Sequence, residues 1–153
     1  MTLARHYIKQ LNKADSEMEK VAQDAIKDNM EFILFLIKEK QLHLGIKSDG
    51  SDAPNYSKWT QFFAKSNPPI TGVSSKTPDK KFNYTWSGSW MESLYIKIES
   101  DGFDILSRDG KTAILEQMSG GKITKLTEEN NQIINEEIIK PALYEHLFNT
   151  LLE

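Results

Sequence analysis

Leu94-Tyr95-Ile96-Lys97-Ile98-Glu99-Ser100-Asp101-Gly102-Phe103-Asp104-Ile105-Leu106 is the stretch that decides the fold. Apolar residues hold every second position over 94–98, and a second alternating run opens at Phe103. Successive strand side chains point to opposite faces, so Leu94, Ile96 and Ile98 share one face and Tyr95 and Lys97 the other. Asp101-Gly102 stands between the two runs. Asp-Gly in that place is a strong hairpin signal, because both central residues of the tight turn take positive φ. An antiparallel hairpin is therefore expected, with Asp101 and Gly102 at its turn and one apolar face that a helix must cover.

Helices are expected on both sides of the hairpin. Residues 3–42 contain neither Pro nor Gly and are rich in Lys, Glu, Gln, Ala and Met, which suits one long helix or two joined by a bend. Tyr7, Leu11, Met18, Val21, Ala25 and Ile26 recur at helical spacing before the run Phe-Ile-Leu-Phe-Leu-Ile at 32–37. The second half should thus be the buried half. Leu44-Gly45 is a plausible stop, since Gly tolerates the left-handed conformation that closes a last turn. At the other end Thr127 is a good N-cap, followed by Glu128 and Glu129 where carboxylates favour the helix dipole. Ile134, Ile138, Tyr144, Leu147 and Leu151 supply an apolar stripe, and Pro141, lacking an N–H, should kink the helix or restart it after Lys140.

Residues 46–81 differ in composition. Four of the five prolines lie there, among Ser, Asp, Asn and Gly, so an extended excursion is expected, with a short helix through Ser-Lys-Trp-Thr-Gln-Phe-Phe-Ala-Lys at 57–65. The expected fold class is α+β: a long N-terminal helix and a kinked C-terminal helix packed on a small antiparallel β-sheet, with a long Pro-rich loop. The 153 residues suit one domain. It divides into an N-terminal helical segment (1–44), the extended loop (46–81), a β-hairpin region (82–118) and the C-terminal helix (127–153).

Composition narrows the function. Hydrophobic residues make up 39% and charged ones 27%, the balance of a folding globular chain. A formal charge of −3 removes the simplest argument for nucleic-acid binding, which rests on an excess of Lys and Arg. The chain has no cysteine, so disulfides, thiolate nucleophiles and Cys-based zinc sites are out, in keeping with a reducing compartment. The N-terminus shows no apolar core of signal-peptide type, and Met30–Ile37, the most hydrophobic run, is too short to span a bilayer. A cytosolic protein with no membrane partner is expected.

Chemistry-bearing patterns are sparse. Asp49, Ser51 and Asp52 are similar to part of a calcium loop, but its late bidentate Glu is missing, and solvated turn residues are the plainer reading. His6, His43 and His146 lie in no metal-ligand spacing. Ser-Gly-Ser between Trp86 and Trp90 is not a nucleophile elbow. Glu92, Glu99, Asp101 and Asp104 suit solvated turns as well as any carboxylate pair. No catalytic, cofactor-binding or metal-ligating residue is expected. Trp59, Trp86 and Trp90 leave open a small sugar- or peptide-binding module, set against core or interface packing, the commoner use of Trp.

The stretch Ser87-Gly88-Ser89-Trp90-Met91-Glu92-Ser93-Leu94 resembles the signature of the tail-completion, or virion-morphogenesis, family of tailed bacteriophages, with Ser87 where Thr is usual. Versions from phages of gut Bacteroidetes, including crAss-like ones, look closer still. Gln41-Leu42, Gly45-Ile46, Ser48-Asp49-Gly50, Tyr56-Ser57, Thr60, the run from Ser100 through Asp101, Gly102 and Phe103 to Ile105, and the run Leu-Thr-Glu-Glu-Asn at 126–130 stand at matching places. Each motif is short; their shared order carries the resemblance. Physically the signature reads as architecture: Gly88 lets the chain turn, Trp90 anchors the turn, and Ser93 satisfies a backbone group before Leu94 opens the strand. The resemblance implies a non-enzymatic structural subunit, assembled in host cytoplasm, that forms or completes a ring at the head-tail junction, neck or upper tail of the virion. Its implied partners are copies of itself and portal, connector or tail proteins, with DNA passing nearby in the lumen.

Overall fold

The computed structural model describes residues 3–56, 84 and 89–152. The architecture is α+β, with helices at both ends of the chain around a two-stranded antiparallel sheet. Helix α1 spans Leu3–Asp28 and α2 spans Met30–Ile37, continued by a π-helical turn at Lys38–Leu42. The bend between them is at Asn29, which has non-helical backbone angles and donates its side-chain amide to the carbonyl of Ala25 at 2.8 Å. A side chain that bonds the preceding turn competes with the backbone ladder, and here it accompanies the break.

The N-terminal helical segment closes at Gly45. The Ile46 N–H donates to the Gln41 carbonyl at 3.0 Å and the Gly45 N–H to the Leu42 carbonyl at 2.9 Å, with Gly45 at φ 70. These are the two bonds of a Schellman ending, for which Gly carries no Cβ penalty. Beyond it, residues 46–52 form a tight turn: Ile46 bridges Asp52, the Lys47 N–H donates to the Ser51 carbonyl, and Gly50 sits at φ 81. Residues 57–81 of the Pro-rich loop, with the short helix expected at 57–65, lie outside the described residues.

After the short helix α3 (Ser89–Glu92) come β1 (Leu94–Glu99) and β2 (Gly102–Ser107). Leu94 pairs with Ser107 and Glu99 with Gly102. The hairpin is the one expected, but its turn sits one residue earlier. Ser100 and Asp101 are the loop, neither has positive φ, and Gly102 is the first strand residue at φ 157. Glycine's freedom serves the entry into β2 rather than the turn centre. A second correction concerns the region 82–118: its last residues begin helix α4 (Thr112–Ser119), which ends at left-handed Gly120 with the same pair of Schellman bonds, Gly120 to Gln117 and Gly121 to Glu116.

The C-terminal helix has three parts: α5 (Glu128–Ile134), a π-helical turn at Asn135–Ile139 and α6 (Lys140–Leu152). The wide turn lies immediately before Pro141, where the ring removes one donor; the Lys140 N–H reaches back five residues to Asn135. The extra residue also shifts the stripe. Ile134 and Ile138 are buried and Leu143, Leu147 and Leu151 continue that side half-buried, whereas Tyr144, expected on it, is 68% exposed.

One core joins these pieces. Ile26, Ile33, Leu36, Ile37 and Leu42 meet Leu94, Ile96 and Ile105 from the hairpin and Ile123, Leu126, Ile134 and Ile138 from the C-terminal half. Helices α1 and α2 cover β1, α5 packs on α2, and α6 runs along α1. No described helix is long and apolar enough to cross a membrane.

Candidate functional site

The buried half of the signature forms a compact anchor. Trp90 is buried, its indole N–H donates to Thr112 Oγ1 at 2.9 Å, and its ring lies 6.0 Å from that of Tyr84. Ser93 Oγ donates to the Trp90 carbonyl at 2.7 Å and is 2.6 Å from Ser107 Oγ across the hairpin. Ser107 Oγ in turn accepts from the Asp109 N–H at 3.0 Å. Leu94, next in sequence, is core. The serines thus pin the open end of the hairpin while Trp90 ties it to the start of α4. Tyr84 has left-handed backbone at φ 60, a conformation that costs a bulky residue on the order of 1–3 kcal/mol and persists when its surroundings hold it. Burial pushes its phenol above the ordinary value, opposed by a hydrogen bond with Ser119.

Ser87 and Gly88, with Trp59 and Trp86, lie outside the described residues. Of the tryptophan platform only Trp90 is therefore placed, and it is sealed in the core rather than presented to a ligand. Asp101 is exposed at the hairpin turn, with Gly102 and Phe103 half-buried beside it.

A second cluster brings together residues up to 89 positions apart. Gln41 is fully buried. Its Oε1 accepts from the Thr127 N–H at 3.0 Å and from Asn130 Nδ2 at 3.4 Å, and its Nε2 donates to the Lys125 carbonyl at 2.8 Å. Ser48 works on the same strap: its Oγ donates to the Lys125 carbonyl at 2.7 Å and accepts from the Lys125 N–H at 3.1 Å, and its own N–H donates to the Lys122 carbonyl. Thr127 caps α5 by accepting from the Asn130 N–H at 3.3 Å. Buried polar groups remain stable only when paired, and this knot pairs its amide and backbone groups through one glutamine. The sequence marked Thr127 as a helix N-cap, which the structure bears out, but Gln41, Ser48 and Asn130 only as parts of motifs; Gln41 follows Lys38-Glu39-Lys40, and nothing local signals its burial.

Asp49 closes its own turn. Its carboxylate accepts from the Ser51 N–H at 2.9 Å and Oγ at 2.6 Å, and those bonds hold its pKa below the ordinary value. Among the described residues no three His, Asp or Glu side chains are grouped to hold a metal ion. His146 faces Glu17 at 3.3 Å between α6 and α1. Large apolar side chains stay exposed along those same two helices: Tyr7, Ile8 and Leu11 on α1, and Tyr144, Phe148 and Leu152 on α6.

Compared with known proteins, the chain matches no family model, no curated protein and no solved structure.

Proposed function

We propose that this protein is a structural subunit of a tailed-phage virion, working as one of several copies that form or complete a ring at the head-tail junction, neck or upper tail. The observation that carries the reading is the convergence of the motif residues. Gln41 meets Thr127 and Asn130 in a buried joint, Ser48 bonds the adjoining Lys125 nearer the surface, Leu42 and Leu126 share the core, and Trp90, Ser93 and Leu94 anchor the hairpin beside it. Several residues that gave the resemblance thus hold structural joints of the fold, which suits an architectural role for them.

The surface adds support. Exposed apolar side chains on α1 and α6 suit burial against other chains, since large apolar groups concentrated on one part of a surface mark interaction sites. Ring closure needs a patch on one subunit to meet a different patch on the next. The helix pair and the hairpin side, together with the Pro-rich loop named from sequence, offer such patches. A net charge of −3 suits a passage through which DNA slides without being held. Quantitative mass spectrometry of purified particles tests the proposal: the chain should be present in several copies per portal ring, and its absence from intact virions would overturn the assignment.

A further inference from the structure

We propose that the outer edge of β2 is a docking groove for an extended polypeptide segment of a partner protein, one that alternates apolar and basic side chains and adds a third strand to the hairpin. The groove has a volume of about 720 Å³ and runs between β2 and the strap at residues 124–126. All five residues 102–106 line it. A pocket on one face of a strand would be lined by alternate residues, so consecutive ones place this groove along the strand edge.

The backbone groups facing it follow from the register. The Arg108 N–H donates to the Ser93 carbonyl at 3.2 Å, which makes that pair a hydrogen-bonded one. Antiparallel pairs alternate, so the 95/106, 97/104 and 99/102 pairs bond inward, and the 96/105 and 98/103 pairs direct their outer groups away from the hairpin. Phe103 and Ile105 therefore present two N–H donors and two carbonyl acceptors along the groove, and among the described residues no backbone bond meets them. Two usual protections of an edge, Lys or Pro in the strand and a bulge, are absent from β2; Asp104 is its one charged side chain, and its pairing with β1 is continuous.

The side chains set the occupant. Phe103 and Ile105 lie on the core side with Leu126 at the opposite wall, so alternate residues of an added strand meet apolar surface there. On the other side stand Asp104 and, toward the turn, Glu99 and Asp101, against Lys125 and Lys97, the latter opposite Asp104 and ion-paired to Glu99 at 2.6 Å. Acidic groups outnumber basic ones, so the intervening residues of the guest are Lys or Arg. Backbone bonds hold such a guest and alternate side chains select it.

The groove does not depend on the virion reading, and the test uses the isolated protein. A fluorescent heptapeptide Lys-Val-Lys-Val-Lys-Val-Lys, followed by anisotropy at low salt, should bind saturably below about 1 mM. The Glu-Val counterpart should bind at least about tenfold more weakly, and Asp104→Lys with Asp101→Lys should reverse that preference. Phe103→Pro removes an outward N–H together with an apolar side chain of the groove and should abolish binding; the Lys-Val peptide N-methylated at alternate residues, used against the parent protein, isolates the backbone bonds and must fail to bind. No saturable binding by 1 mM, equal affinity for the Lys and Glu peptides, or equal affinity for the N-methylated peptide would overturn the proposal. Self-association of the parent protein that is lost in Phe103→Pro would overturn it too, by giving the groove to a second copy.

Discussion

Replacing Gln41 by Leu should lower stability by about 0.5–3 kcal/mol, although Leu is close to Gln in size and more apolar. The Thr127 N–H has Gln41 Oε1 as its acceptor, and an orphaned buried donor costs about 1–3 kcal/mol. Asn130 Nδ2 loses a longer bond at 3.4 Å, adding about 0.5–1 kcal/mol. The Lys125 carbonyl still accepts from Ser48 Oγ and adds little. Greater apolar burial returns about 1 kcal/mol. At this chain length each kcal/mol moves the melting temperature by roughly 2–4 °C, so Gln41→Leu should melt about 1–12 °C below the parent in thermal unfolding followed by circular dichroism. Ser48→Ala is the control, because its groups are near solvent and water can replace them; it should cost less than about 1 kcal/mol. A Gln41→Leu melt indistinguishable from the parent, or a larger loss in Ser48→Ala, would refute the claim that one buried amide joins the two halves.

Trp90→Ala should cost about 3–5 kcal/mol, and Trp90→Phe markedly less because the ring contact with Tyr84 survives while the bond to Thr112 is lost; equal melts for Trp90→Ala and the parent would return Trp90 to the surface. The Asp49 carboxyl has its pKa lowered by its bonds to Ser51. A depressed acid stabilises its turn above the unfolded value, 3.8, and that contribution is lost as pH falls through the folded pKa. The Ser51 amide resonance, followed by NMR, should therefore hold its position down to about pH 4 and move below it, and a transition centred above 3.8 would contradict the bond.

Local order was legible where neighbours in sequence are neighbours in space. The alternation through Leu94, Ile96 and Ile98 and the cap at Thr127 needed nothing from elsewhere in the chain. The hairpin's turn residues were misread because the Asp-Gly signal marks a conformational permission, and the permission at Gly102 is used at the strand's first residue. Helix α4 was missed although Gly120-Gly121 marks its end; Ile114 and Met118 are exposed, so it lacks the apolar stripe that betrays a packed helix. Tyr144 fell off the expected stripe because a π-helical turn changes the period of 3.6 on which the reading rests. The Gln41 joint was out of reach for a different reason: its partners lie 84, 86 and 89 residues away, and no local pattern encodes a tertiary hydrogen bond. Trp90, by contrast, was readable as an anchor, since a large aromatic just before an apolar strand has little else to pack against.

Cryo-electron microscopy of mature particles tests the central claim most directly. Repeated density is expected on the portal-to-tail axis into which the α1, hairpin and α6 arrangement fits, one copy per subunit of a closed ring, with the exposed side chains of α1 or α6 at contacts between copies. A neck and tail traced completely by other proteins, with this chain nowhere in the particle, would contradict it.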